Sequence, residues 1–245
     1  MEKNTDTEIK KLPAAVALIT AEVIFVIAIF FISISSLIFI IRRIFFVKSN
    51  AFDQNAFDFL APFVTDTITK VVLFITFFGS YLFMITAWLL VFSFYLFIRK
   101  NKWHFITMLT IAVSNFGLMV GLKFFFNRPR PLIPLLKEIP GLSFPSGHAF
   151  MSMIFYGLLI SIVYRDITSL WKKWTVICIL LSFIFLVGFS RVYLRVHYLS
   201  DVLAGYCFGI LSLTILLWLM KRIKKYNDAK LAQPLQEVIT GGENT

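Results

Sequence analysis

The sequence predicts an all-α fold: a polytopic membrane protein built as a six-transmembrane-helix bundle with extracytoplasmic active-site loops. Three observations carry this. The chain of 245 residues is 59% hydrophobic and only 15% charged, where a soluble domain carries about 25% charged residues. Its apolar residues gather into separate runs that approach the roughly 20 residues a helix needs to cross a hydrocarbon core about 30 Å thick. Its 24 Lys and Arg outnumber its 13 Asp and Glu, and the cations stand mostly at the ends of those runs. An excess of +11 on a soluble chain would point to nucleic acid; at span ends it points to orientation in a bilayer, with no nucleic-acid partner. Twenty-nine Phe against 11 Gly exclude disordered, collagen-like and linker readings.

The elements follow in order. Val23 to Ile41 lies between Glu22 and Arg42-Arg43. It exceeds the roughly 7–15 residues of a signal-peptide core and no small-residue cleavage site follows, so it is expected to remain as an anchor. Asn50 to Lys70 mixes Phe52, Phe57, Phe59, Leu60 and Phe63 with Asp53, Asp58 and Asp66. It reads as a solvated amphipathic connector at the interface, in preference to a substrate-gating element. Val71 to Ile98 is an uncharged run ending at Arg99 and Lys100. Trp103 to Leu122 runs into Lys123, and Pro129 and Pro131 end that helix. Ala149 to Tyr164, Trp174 to Phe189 and Val202 to Met220 supply the remaining spans. The organisation is therefore a cytoplasmic N-terminal segment (1–22), a membrane core (23–220) and a cytoplasmic polar tail (221–245). Cys178 and Cys207 sit inside apolar runs and read as small buried hydrophobes.

The fourth and fifth runs are short, about 24 Å at helical rise. This places their polar neighbours, Ser146 to His148 and Ser190-Arg191, at the membrane boundary. With the N-terminus inside, 14 cations fall on the cytoplasmic side and ten on the other, so both termini read as cytoplasmic.

Three segments on the predicted outer side hold two of the three histidines. The first runs from Lys123 through Arg128 and Arg130 to Pro131. The second is Pro145-Ser146-Gly147-His148, where Ser146 is placed to cap the following helix, whose free N–H groups and positive end suit an anion. Gly147 lets the backbone approach a phosphate, and His148 is placed to protonate a departing alkoxide. The third holds Ser190-Arg191, His197 and Asp201. His197 and Asp201 are four positions apart, so on a helix they share a face, and the carboxylate would hold one imidazole nitrogen protonated while the other attacks. Lys123, Arg130 and Arg191 would neutralise a transferring phosphoryl group. Singly, each feature has a plain structural reading, as a capped helix, a surface pair or an interface anchor.

Together these residues match K-x6-R-P, P-S-G-H and S-R-x5-H-x3-D, and the chain from about Ala14 to Met220 resembles the type-2 phosphatidate phosphatases, or lipid phosphate phosphatases. That family is related to acid phosphatases and vanadium haloperoxidases. The resemblance implies a bacterial membrane member in which His197 attacks phosphorus to form a phosphohistidine, Asp201 orients it, and His148 protonates the leaving oxygen and then activates water. Lys123, Arg130, Ser146, Gly147 and Arg191 would hold the phosphate, with Arg128 as a further candidate. It implies no metal and no cofactor. The expected function is hydrolysis of a phosphomonoester or diphosphate of a lipid, such as phosphatidylglycerophosphate, phosphatidate or a polyprenyl diphosphate, at the extracytoplasmic face of a bacterial inner membrane. A phosphotransferase using the same intermediate and a non-catalytic headgroup carrier are the alternatives. Neither the lipid nor the oligomeric state is written in the motifs.

Overall fold

The computed structural model describes residues 5–132, 134–135 and 140–241, with side chains from 23 to 228. Lys3 and Lys137, two of the counted cations, lie outside the described residues. The chain divides at residue 48 into two units. The first contains α1 (Thr5–Ile41), continued by a π-helical turn, Arg42–Phe46. The second contains α2 (Ala51–Leu60) and a short 3₁₀ turn, then α3 (Asp66–Phe77), α4 (Tyr81–Ser93), α5 (Lys102–Phe126), α6 (Gly147–Asp166), α7 (Leu170–Tyr193) and α8 (Leu199–Gly241). Among the described residues there is no strand.

Among the described residues six segments are long and apolar enough to cross a membrane: Val23–Phe46, Asp66–Ile98, Lys102–Phe126, Gly147–Asp166, Leu170–Tyr193 and Leu199–Asp228. Each contains one of the six predicted runs. Within the second unit α6 is the axis, packing on α7, α8 and α5, while α3 packs along α7. Its inward side chains Phe150, Ile154 and Leu158 meet Met108 and Ile111 of α5 in a closed core. Phe74, Leu90, Phe116, Phe125 and Phe185 point outward and are exposed. That inversion suits helices whose backbone groups are satisfied internally and whose side chains face lipid.

Four expectations are corrected. The fourth and fifth helices are not short: α6 has 20 residues and α7 has 24. They continue through Gly147-His148 and Ser190-Arg191 because neighbouring segments, rather than headgroup water, surround those polar residues. The second span is broken between α3 and α4. Gly79 stands at the break, where an added Cβ would lie 2.3 Å from Val187 Cγ1 and 3.1 Å from the His148 ring. Ser80 caps α4 by accepting from Phe83 N–H, and the Tyr156 hydroxyl donates to Phe78 C=O at the end of α3. The 50–70 segment is no solvated connector, because Asp53 and Phe57 are buried as α2 packs against α7 and α8. Cys178 is exposed rather than buried; both cysteines are free.

Candidate active site

The end of α5, the start of α6, the end of α7 and the start of α8 meet at one end of the bundle. Alternating helix direction brings them there, and the loops complete the site. Asn127 ends α5 in the left-handed region (φ 44°, ψ 40°), with its N–H on Lys123 C=O, and the chain leaves extended through the prolines. Ser143 N–H donates to Arg128 C=O at 2.8 Å, and Ser146 N–H to Asp201 C=O at 3.0 Å, which ties this loop to α8. Gly205 permits that approach: a Cβ there would sit 2.9 Å from Ser146 C=O.

His197 is buried, 2% exposed, in the turn between α7 and α8. It is therefore not on one helix with Asp201, as the spacing suggested. The turn itself delivers the pair, with His197 N–H and Val196 N–H both on Arg191 C=O. Asp201, fully buried in the first turn of α8, has Oδ2 3.6 Å from His197 Nδ1. The same oxygen accepts from Tyr198 N–H at 2.9 Å and from the Ser143 hydroxyl. Ser143 Oγ also lies 3.4 Å from Nδ1. Since its one proton goes to Asp201, Oγ is an acceptor toward the ring, and both acceptors favour a proton on Nδ1 and a free lone pair on Nε2. Burial drives the His197 pKa down to about 4, against the opposing pull of Asp201, so the imidazole is neutral at physiological pH.

Around this ring stand cations without carboxylate partners. Lys123 donates to Leu142 C=O, Arg130 to Gly141 C=O and Val196 C=O, and Arg191 to Thr76 Oγ1. Among the described residues none of the three has an acidic oxygen within 4.0 Å; the ion pairs are Arg128–Asp53, Arg128–Asp201 and His197–Asp201. Arg191 Nε and Ser146 Oγ are buried with no hydrogen-bond partner in the protein. Ser146 does occupy the N-cap position of α6, but its side chain makes no capping bond, which leaves the hydroxyl available. His148, in the first turn of α6, lies within electrostatic reach of Arg191, His197, Arg130 and Lys123. The arrangement suits a tetrahedral oxyanion with a neutral imidazole on one side of it.

Arg128 is the exception among the candidate phosphate contacts. Its Nη1 donates to Asp201 Oδ1 (2.6 Å) and Ser200 Oγ (2.8 Å), and its Nη2 to Asp53 Oδ2 (2.8 Å). The guanidinium lies 4.0 Å from the centre of the Tyr198 ring. Both of its Nη atoms are engaged by carboxylates, unlike those of Arg130 and Arg191. Sequence reasoning missed Ser143, Thr76 and Gly79 as parts of the site. It passed over Asp53 too, although one signal was present: Asp53, Phe57 and Leu60 follow an i, i+4, i+7 pattern, which puts an acid in the apolar stripe.

Six apolar helices and a buried histidine among unneutralised cations define an integral membrane protein with an anion site built for phosphoryl chemistry. The chain belongs to the PAP2 superfamily, which matches residues 103–225 and so takes in every site residue read from the motifs. It is 31% identical over 135 residues to phosphatidylglycerophosphatase B of Bacillus subtilis (strain 168), across 54% of this chain and 66% of that one, just under two thirds of the relative's length. The crystal structure of the first transmembrane PAP2 type phosphatidylglycerolphosphate phosphatase from Bacillus subtilis shares the fold with a TM-score of 0.70 at 24% identity, over 81% of this chain and 96% of that chain. The crystal structure of Aquifex aeolicus LpxE gives 0.52 at 26% identity, over 67% and 93% respectively.

Proposed function

We propose that this PAP2 protein is a membrane lipid phosphatase that works through a phosphohistidine. The observation that carries the reading is the neutral, buried His197, its Nδ1 facing Asp201 and Ser143, within electrostatic reach of Arg191 and Arg130. In the first step Nε2 attacks phosphorus, the bond from phosphorus to the lipid oxygen breaks, and His148 gives that oxygen its proton. In the second, His148 takes a proton from water as the hydroxide displaces Nε2, releasing orthophosphate and restoring both rings. Lys123, Arg130, Arg191, the Ser146 hydroxyl and the backbone N–H groups that open α6 hold the phosphate oxygens.

The substrate is a lipid phosphate. Phosphatidylglycerophosphate comes first because of the named Bacillus relative, with phosphatidate and polyprenyl diphosphates next. The protein sits in the bacterial inner membrane with both termini in the cytoplasm and the site on the extracytoplasmic side, a reading supported by the cation bias. The test is phosphate release from each lipid in detergent with EDTA present. Turnover of at least one lipid is expected, and wild-type turnover by His197→Ala would overturn the mechanism.

A further inference from the structure

Asp53 belongs to none of the three motifs and precedes the residues matched by the family. It is nevertheless 2% exposed, and each of its carboxylate oxygens is used. Oδ1 accepts from Ser200 N–H at 2.9 Å, capping the start of α8 from 147 residues away, and Oδ2 accepts from Ser200 Oγ at 2.7 Å and from Arg128 Nη2 at 2.8 Å. The other arm of Arg128 holds Asp201 Oδ1, whose partner oxygen faces His197. One turn along α2, Phe57 packs on Tyr198, whose ring lies over the same guanidinium. An acid, a cation and an acid thus stand in a row behind the imidazole, on three different segments of chain.

We propose that Asp53 is a positioning residue for the nucleophile: it holds Arg128 and the first turn of α8, these fix the Asp201 carboxylate, and Asp201 fixes the His197 ring. Two physical points support it. A buried arginine with one carboxylate would collapse onto it in a bidentate fork, whereas two carboxylates spread its arms and leave Asp201 Oδ2 to the serine, the Tyr198 amide and the imidazole. A buried network with every member satisfied has a single geometry, which is what an attacking nitrogen needs. On this reading α2 is a wedge that carries the outer carboxylate of the site.

The inference rests on His197 being the nucleophile, and the experiment separates the two. Wild type, His197→Ala, Asp53→Asn and Ser200→Ala are purified in detergent, and kcat and KM are measured on phosphatidylglycerophosphate micelles. Asp53→Asn is expected to lower kcat about 10- to 100-fold, the scale of a displaced reacting group, with KM within about twofold of wild type. Ser200→Ala, which keeps both charges, is expected to lower kcat about threefold to tenfold at unchanged KM, and to cost no more in the Asp53→Asn background. A wild-type kcat in Asp53→Asn beside an inactive His197→Ala overturns the positioning role alone. A loss of kcat/KM carried by KM overturns it as well, since that marks a binding residue. If Asp53→Asn does not fold, Ser200→Ala decides by the same two criteria. Activity retained by His197→Ala overturns the underlying reading instead.

Discussion

Thr76 Oγ1 accepts a hydrogen bond from Arg191 Nη1 at 2.8 Å, which sets the guanidinium from α3 while its Nε stays buried and unpartnered. Thr76→Val keeps the shape and removes the acceptor. With a net hydrogen bond to a charged group worth about 1.5–3 kcal/mol, competitive inhibition by orthophosphate or vanadate should weaken about tenfold or more. Inhibition constants measured beside wild type check this, and unchanged constants would detach Thr76 from the anion site.

Ser143 bridges Asp201 and the Nδ1 side of His197. Ser143→Ala leaves Asp201 with one donor fewer and the ring with one acceptor fewer. A fall in kcat on the order of tenfold is expected, about 1.4 kcal/mol, with little change in KM. Steady-state kinetics on one lipid substrate measure it, and a loss confined to KM would contradict the assignment.

His197 is held at about 4 by burial. It is neutral above that pH and loses its attacking lone pair only below it. The acid limb of kcat/KM, corrected for ionisation of the substrate phosphate, is therefore expected below pH 5, and a limb centred near 6.5 would contradict the site. Asp201 holds the value up, so Asp201→Asn moves the limb lower still as it slows the reaction. Stability has the same sign: the unfolded chain binds a proton at His197 first, so the contribution present above about 6.5 is lost as pH falls toward 4. A thermal midpoint that drops across that window is the readout.

Gly79 is where α3 and α4 part beside His148. A Cβ there would press on Val187 Cγ1 at 2.3 Å and on the His148 ring at 3.1 Å. Gly79→Ala should destabilise the protein by about 1–3 kcal/mol, the range for overpacking, and lower kcat by displacing the proton donor. Val187→Ala in the same chain opens the space, so thermal stability should recover. No recovery in detergent melting curves would show that the break itself, rather than the contact, requires glycine.

The spans and the motif residues were legible because each carries a local signature: an apolar run, or a residue type whose chemistry is specific at its spacing. His197 and Asp201 were paired correctly for a wrong reason, since a turn rather than a helix face joins them. Arg128 was weighed for phosphate because a cation beside Arg130 looks like one more cradle residue; its tertiary partners, Asp53 and Asp201, come from segments far away in the chain and left no local signature. Ser143, Thr76 and Gly79 left no trace, because a serine in a loop, a threonine in a span and a glycine in an apolar run are ordinary until α7 and α8 are set against them.

The row from Asp53 through Arg128 to Asp201 also bears on biosynthesis. Asp53 and Arg128 leave the ribosome well before Ser200 and Asp201, and until α8 arrives an acid and a cation wait with their inner partners missing. Insertion of the last helix supplies a carboxylate, a hydroxyl and an amide to the two of them at once. Pairing of His197 with its carboxylate therefore waits for α8, and a nascent chain halted before α8 holds the imidazole but lacks the Asp201 oxygen that faces it.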